Sequence, residues 1–73
     1  MTGKYPARIN LTDWISGHKR PHAKLKVPPW QMFLDTAEQT LAERLRSLGY
    51  TTANVGKWHL GDDPVYWPGN QGF

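Results

Sequence analysis

The sequence has no cysteine among its 73 residues. A disulfide and a thiolate metal site are therefore excluded within this chain. The exclusion matters because a domain of this size buries only about 60% of the surface that it exposes when unfolded, and small folds usually compensate with a disulfide or a metal. We expect at most one small domain of marginal stability.

Long apolar runs are also missing. No segment approaches the ~20 apolar residues that a membrane-spanning helix requires, so we expect no membrane partner. The residues after Met1, Thr-Gly-Lys-Tyr-Pro, do not form the apolar core of a signal peptide. Gly3 followed by Pro6 is typical of the end of a helix, and we interpret this as a sign that residues have been lost upstream.

The first half of the chain has little regular periodicity. Residues 4–34 contain four prolines and a Ser-Gly pair, and they sustain neither a helical nor a strand period. We expect residues 1–39 to be mostly irregular, either as a functional loop on a larger body or because the chain is not a complete domain. We expect this segment to be held against the rest of the protein by the packing of four apolar side chains: Trp14, Trp30, Phe33 and Leu34.

The chain is modestly basic, with a net charge of +3. Six of the nine Lys and Arg residues lie in residues 1–26: Lys4, Arg8, Lys19, Arg20, Lys24 and Lys26. A basic half can attract an anionic partner, although a solvated loop is the simpler interpretation. Interleaved aromatic residues superficially suit nucleic acid, but no recognisable nucleic-acid module accompanies them, so we expect no nucleic-acid partner.

Residues 40–61 carry the clearest pattern, which is helix, strand and loop. Thr40 and Glu43 form a capping-box sequence, and Gly49 suits the position just after a helix. The stripe of Leu41, Leu45 and Leu48 has helical spacing, and Arg44 and Arg46 suit the final turns. Residues 50–55 predict a strand because they are rich in β-branched and aromatic types. The order indicates an α/β fold, although one helix and one strand cannot form a two-layer core alone.

Lys57 and His59 follow the predicted strand, and residues 62–73 form a loop rich in Gly and Pro, beginning with the turn-forming Asp62-Asp63-Pro64. If strand geometry continues through Trp58, the side chains of Lys57 and His59 point to the same side. Lys offers three donors to sulfate or phosphate oxygens, and His exchanges a proton near neutral pH. The pair could bind an anion and assist a leaving group, while a surface Lys near a structural His is the alternative.

A metal site is not predicted within the chain. His18 and His22 have a spacing that suits a metal on a helix, but Gly17 and Pro21 argue against a regular helix there. No third ligand lies nearby in the sequence, so we disfavour zinc. Asp62 and Asp63 are better explained by the turn that Asp-Asp-Pro forms.

Residues 49–61, Gly-Tyr-Thr-Thr-Ala-Asn-Val-Gly-Lys-Trp-His-Leu-Gly, closely resemble the second signature of the type I, formylglycine-dependent sulfatases, members of the alkaline-phosphatase-like superfamily. Residues 2–8, Thr-Gly-Lys-Tyr-Pro-Ala-Arg, resemble the tail of the first signature, and Gly72-Phe73 resemble the Gly-Phe that follows the second. The helix that begins after Thr40 is similar to theirs. The resemblance spans nearly the whole chain in the same order.

The resemblance implies a piece of a large α/β domain, residues 1–73 being a partial catalytic domain whose partner is the remainder of the sulfatase domain. It implies a sulfate-ester substrate, a formylglycine nucleophile made from a cysteine, and calcium or another divalent ion held by carboxylates and an amide. Lys57 matches the lysine that contacts the sulfate, and His59 matches the histidine that bonds a formylglycine hydroxyl. The nucleophile and the metal ligands have no counterpart in this sequence, so we expect the chain alone to be inactive.

By the same resemblance, residues 6–29 lie near the rim of the active site. Arg8, Lys19 and Arg20 are then candidates to contact a sulfated carbohydrate. The alternatives are a phosphodiesterase or phosphonate hydrolase of the same superfamily, and a non-catalytic basic module that binds polyanions. Family members are often exported, to the periplasm or outside the cell, or are lysosomal, and the sequence leaves the compartment undetermined.

Overall fold

A computed structural model describes residues 1–15 and 20–73. Its elements in chain order are a 3₁₀ helix at Pro6–Ile9, the α-helix α1 at Leu41–Ser47, and two short 3₁₀ helices at Pro64–Tyr66 and Pro68–Asn70. Each 3₁₀ helix starts at or next to a proline, whose fixed φ suits a helical first position. Most of the remaining backbone among the described residues is turn or irregular.

Helix α1 forms where its capping residues predict it. The Thr40 hydroxyl accepts from the backbone N–H of Glu43, while the Glu43 carboxylate accepts from the N–H of Thr40. At the other end, Gly49 has a φ of +90°. The N–H groups of Gly49 and Tyr50 donate to the carbonyls of Arg46 and Leu45, the hydrogen-bond pattern of a Schellman motif. Both predicted caps are confirmed.

The core is small, and part of it lies where the start of α1 meets the end of the chain, at Leu34, Thr40 and Gln71. Its apolar members are Ile15, Trp30, Leu34 and Ala42, each at most 9% exposed. Thr40 and Gln71, at 1% and 0% exposed, are buried with them. Phe33 adds a stacked contact with Tyr66, the ring centroids being 4.0 Å apart. The expected packing of Trp30, Phe33 and Leu34 is confirmed, but that of Trp14 is wrong, because its side chain is 59% exposed.

The predicted strand at residues 50–55 is wrong for this structure. No strand occurs in the described ranges, and Val55 is 96% exposed. A strand needs a neighbouring extended segment to pair with its N–H and C=O groups, and none of the described residues forms one. The leucine stripe of α1 is likewise not buried: Leu41 and Leu48 are 63% and 71% exposed, while Ala42 faces the core.

The molecule is extended rather than compact. Its dimensions are 50 × 22 × 17 Å, and its radius of gyration is 14.3 Å, against the ~11 Å expected for a compact chain of this length. Its accessible surface is 5751 Å², whereas a compact protein of the same mass exposes about 4600 Å². The excess accessible surface is consistent with the large apolar residues that are exposed, such as Leu41, Leu48 and Val55.

Candidate active site

The candidate active site is a loop, residues 57–61, that follows Gly56 and ends at Gly61, both of which have a positive φ. Trp58 anchors the loop by its indole Nε1–H, which donates to the carbonyl oxygen of Tyr66 at 2.9 Å. The Trp58 ring also meets Phe73 edge-on, with centroids 5.8 Å apart. The tryptophan is therefore turned toward the end of the chain.

The far end of the loop is held by backbone contacts. The N–H of Leu34 donates to the carbonyl oxygen of Leu60 at 2.9 Å. Gly61 passes under the Phe33–Tyr66 stack so closely that a Cβ at this position would lie 2.6 Å from the Cβ of Tyr66. Only glycine fits there without displacing the aromatic pair.

Lys57 and His59 flank Trp58, and both are exposed. Neither forms a hydrogen bond or an ion pair with another residue of the described ranges. His59 has a φ of +58°, a left-handed conformation that non-glycine residues adopt uncommonly and that is often found at functional sites. The loop therefore presents two ionisable side chains to solvent from a constrained backbone.

The condition for aligning Lys57 and His59, that strand geometry continues through Trp58, is not met. An extended strand has a strongly negative φ, and the positive φ of His59 breaks the alternation that would place both side chains on one face. The two residues remain together because they are sequence neighbours of the anchored Trp58.

The candidate substrate residues lie in the first third of the chain. Arg8 is exposed in the first 3₁₀ helix. Arg20 donates to the Asp13 carboxylate at 2.8 Å, so part of its charge is neutralised by a neighbour. Lys19 lies outside the described residues, as does His18 of the disfavoured zinc site.

An open cleft of about 530 Å³ is lined by Arg20 and by two further basic residues, Lys24 and Lys26. Asp13 and Trp30 line it as well. With three cationic side chains against one carboxylate, the cleft carries a net positive charge and suits an anionic ligand.

The described residues do not fit the family's metal site. No group of three or more His, Asp or Glu side chains comes together in residues 1–15 and 20–73, whereas calcium takes six to eight oxygen ligands. The sequence also has no cysteine from which a formylglycine could be made. The residue types in the loop suit anion binding and proton exchange, whereas residues 1–15 and 20–73 bring together no set of metal ligands and the sequence offers no cysteine.

Sequence reasoning missed the residue that joins the core to the loop. Gln71 is fully buried; its Nε2 donates to the carbonyl of Leu34, and its own carbonyl accepts from the Thr40 hydroxyl. A glutamine between Asn70 and Gly72 gives no signal of burial, because its partners lie 31 and 37 residues away.

No helix in the part of the chain that the structure describes is long and apolar enough to cross a membrane.

Comparisons with known proteins give a consistent result. The chain is 38% identical over 64 residues to an N-acetylgalactosamine-6-O-sulfatase of Bacteroides thetaiotaomicron, covering 88% of this chain and 10% of that protein. It is 34% identical over 79 residues to an arylsulfatase of Hemicentrotus pulcherrimus, covering 100% of this chain and 13% of that protein. It is 41% identical over 61 residues to human steryl-sulfatase, covering 84% of this chain and 10% of that protein.

No family model matches the chain, and no solved structure matches it. The chain spans about a tenth of the length of the curated relatives named above. Those relatives come from three different organisms and are all sulfatases, and their matches extend over most or all of this sequence. The chain therefore belongs to the sulfatase family, as a segment of a sulfatase sequence.

Proposed function

We propose that the protein containing this segment hydrolyses sulfate esters and that Lys57 and His59 act on the sulfate group. Sulfatase membership implies an alkaline-phosphatase-like α/β fold for the whole domain, of which the described residues supply the α-helix α1. The observation that carries the proposal is the loop itself. It holds a cation and a proton carrier on either side of an anchored tryptophan, inside the segment that matches the sulfatases.

Lys57 binds the anion in this proposal. Its ammonium has three N–H donors and no acceptor, which suits the several oxygens of a sulfate ester. The side chain is exposed and has no carboxylate partner among the described residues. Its charge is therefore available to a substrate, because no ion pair among the described residues neutralises it.

His59 handles the proton. An imidazole can accept a proton from a reacting group or donate one to a leaving oxygen near neutral pH. Its left-handed backbone fixes the start of the side chain. In this family a formylglycine supplies the nucleophile and a divalent ion polarises the sulfate, and neither group can be built from this chain's described residues.

The test is kinetic and uses the full-length protein with a small aryl sulfate. Lys57→Ala and His59→Ala should each lower kcat/KM by about 100-fold or more, the magnitude typical of losing one preorganised charge-stabilising group. Arg46→Ala, which removes an exposed cation from α1, is the matched control and should retain wild-type activity.

Two results would contradict the proposal. One is wild-type activity in Lys57→Ala. The other is faster hydrolysis of an aryl phosphodiester or phosphonate ester than of the aryl sulfate, which would favour the superfamily's phosphorus-ester hydrolases. The 73-residue chain alone should release no sulfate, and release that Lys57→Ala abolishes would show that the segment needs no further catalytic group.

We also propose an anionic carbohydrate polymer as the substrate class. The support is the positively charged cleft lined by Arg20, Lys24 and Lys26. Arg8 and Lys19 remain candidates from the sequence alone. A non-catalytic polyanion-binding module would use the same cleft, and it differs from the enzyme in showing binding that weakens with salt but no turnover.

A further inference from the structure

Trp58 stands between the two ionisable residues of the loop, and both of its specific contacts go to one short segment. Its Nε1–H donates to the Tyr66 carbonyl at 2.9 Å, and its ring meets Phe73 at an interplanar angle of 81°. Both partners lie in residues 66–73, here called the platform. The platform therefore determines where the Trp58 side chain lies.

The platform is itself fixed to the core. Gln71, which is fully buried, donates from Nε2 to the Leu34 carbonyl at 2.9 Å. The main-chain carbonyl of Gln71 accepts a hydrogen bond from the Thr40 hydroxyl at 2.7 Å. Leu34 in turn donates its N–H to the Leu60 carbonyl at 2.9 Å. The residues on both sides of His59, Trp58 and Leu60, are thus tied to the same buried centre.

We propose that Trp58 is a positioning residue for sulfate-ester hydrolysis. Its indole, seated on the platform, sets the direction in which Lys57 and His59 leave the loop. This inference rests on the proposed function of those two residues. It goes further by assigning a role to a residue that carries no charge and does not touch the sulfate in this proposal.

The physical reason is the backbone of His59. A left-handed φ costs a non-glycine residue about 1–2 kcal/mol, so the conformation at His59 persists only if neighbouring contacts hold it. The Trp58 hydrogen bond and ring contact supply that restraint on one side, and the Leu60 hydrogen bond supplies it on the other. A displacement of a catalytic group by 1 Å can cost ~100-fold in rate.

Trp67 provides a matched control. Its Nε1–H donates to the Asp62 carbonyl at 3.1 Å, which is the same type of bond as that made by Trp58. Trp67 lies within the platform, but its indole bonds to Asp62, outside the loop, whereas the two recorded contacts of Trp58 go to Tyr66 and Phe73. Trp67 is also 53% exposed. Trp58→Phe and Trp67→Phe therefore remove the same chemical group, an indole donor to a main-chain carbonyl, but only the first change releases the active-site loop.

The experiment measures kcat and KM for an aryl sulfate, the inhibition constant for inorganic sulfate, and the melting temperature of the full-length protein. Trp58→Phe should lower kcat about 10-fold and weaken inhibition by sulfate, and Trp58→Ala should lower kcat by about 100-fold. Trp67→Phe should keep the wild-type kcat and sulfate inhibition. The melting temperatures of the two Phe variants should be similar.

The outcomes separate this inference from the proposed function. If Lys57→Ala is inactive while Trp58→Phe and Trp67→Phe have equal kcat values, the positioning role is wrong and the catalytic assignment stands. If kcat falls only in proportion to the melting temperature across all three tryptophan variants, Trp58 is structural and the inference is also overturned. If Lys57→Ala is fully active, the catalytic assignment itself fails.

Discussion

At the scale of single residues, the packing of the chain end depends on Gly72 and Gln71, which contact the backbone at the start of α1 and at Leu34. Gly72 has a φ of +95°, and a Cβ there would lie 2.8 Å from the carbonyl carbon of Ala42, with the Glu43 N–H closer still. The residue next to it, Gln71, is the buried link to Leu34 and Thr40. The end of the platform can reach the start of α1 only because residue 72 has no side chain.

Gly72→Ala should therefore destabilise the protein strongly. The cost combines a left-handed φ, about 1–2 kcal/mol, with overpacking against helix backbone, about 1–3 kcal/mol. The free energy of unfolding, measured by chemical denaturation of the full-length protein, should fall by about 2–5 kcal/mol.

Gly69→Ala is the control, because Gly69 has no positive φ and a Cβ there meets nothing within 4 Å. Its effect should stay within about 0.5 kcal/mol, as for most surface changes. Equal destabilisation by the two alanines would show that the close approach at Gly72 is absent.

At the scale of elements, nearby capping residues determine where α1 begins and ends. They do not determine which face of α1 is buried. Thr40 serves two purposes at once: its hydroxyl accepts from the Glu43 N–H at 3.1 Å and donates to the Gln71 carbonyl at 2.7 Å. The first contact caps the helix, and the second fastens the platform to it. The exposed Leu41 and Leu48 contribute little to the element's stability here.

Thr40→Ala should cost about 2–4 kcal/mol in unfolding free energy. Loss of the N-cap accounts for ~1 kcal/mol, and a buried carbonyl left without a donor accounts for about 1–3 kcal/mol. Thr40→Ser keeps the hydroxyl and should recover most of the loss. Denaturation midpoints of the two variants test this, and a Ser variant as unstable as the Ala variant would contradict the dual role of the hydroxyl.

At the scale of the whole molecule, the chain exposes more surface than its mass requires. The accessible surface of 5751 Å² exceeds the compact value of about 4600 Å² by roughly 1100 Å². Much of the exposed apolar area lies on α1 and on the segment after it, at Leu41, Leu48, Tyr50 and Val55. Apolar faces of this kind need a second layer to pack against.

The basic cleft is lined by residues between Thr12 and Trp30, so it shares no residue with the candidate loop at residues 57–61. If the cleft binds a polymeric substrate, Arg20→Glu should raise KM for a sulfated polysaccharide by several-fold more than for a small aryl sulfate, because only the polymer reaches beyond the loop. The same holds for the double change at Lys19 and Arg20.

Steady-state kinetics with the two substrates, compared with Arg46→Glu on α1, measure this difference. Equal effects of Arg20→Glu on both substrates would show that the cleft plays no part in recognising a polymer.

Local chemistry alone determined part of this protein. The capping box at Thr40 and Glu43, the glycine after α1, and the aspartate that caps Pro64–Tyr66 all use partners within a few residues, so their sequence patterns suffice. The Lys-Trp-His order also sufficed to mark the candidate site, since the three residues are adjacent whatever the fold.

Tertiary structure decided the rest, because the deciding partners are distant in sequence. A strand at residues 50–55 would need a neighbouring extended segment to pair its backbone N–H and C=O groups, and none of the described residues forms such a segment. The burial of Gln71, the platform beneath Trp58 and the left-handed His59 each depend on contacts with residues brought together only by folding. Propensity describes what a segment can do, and packing selects which of those conformations it adopts.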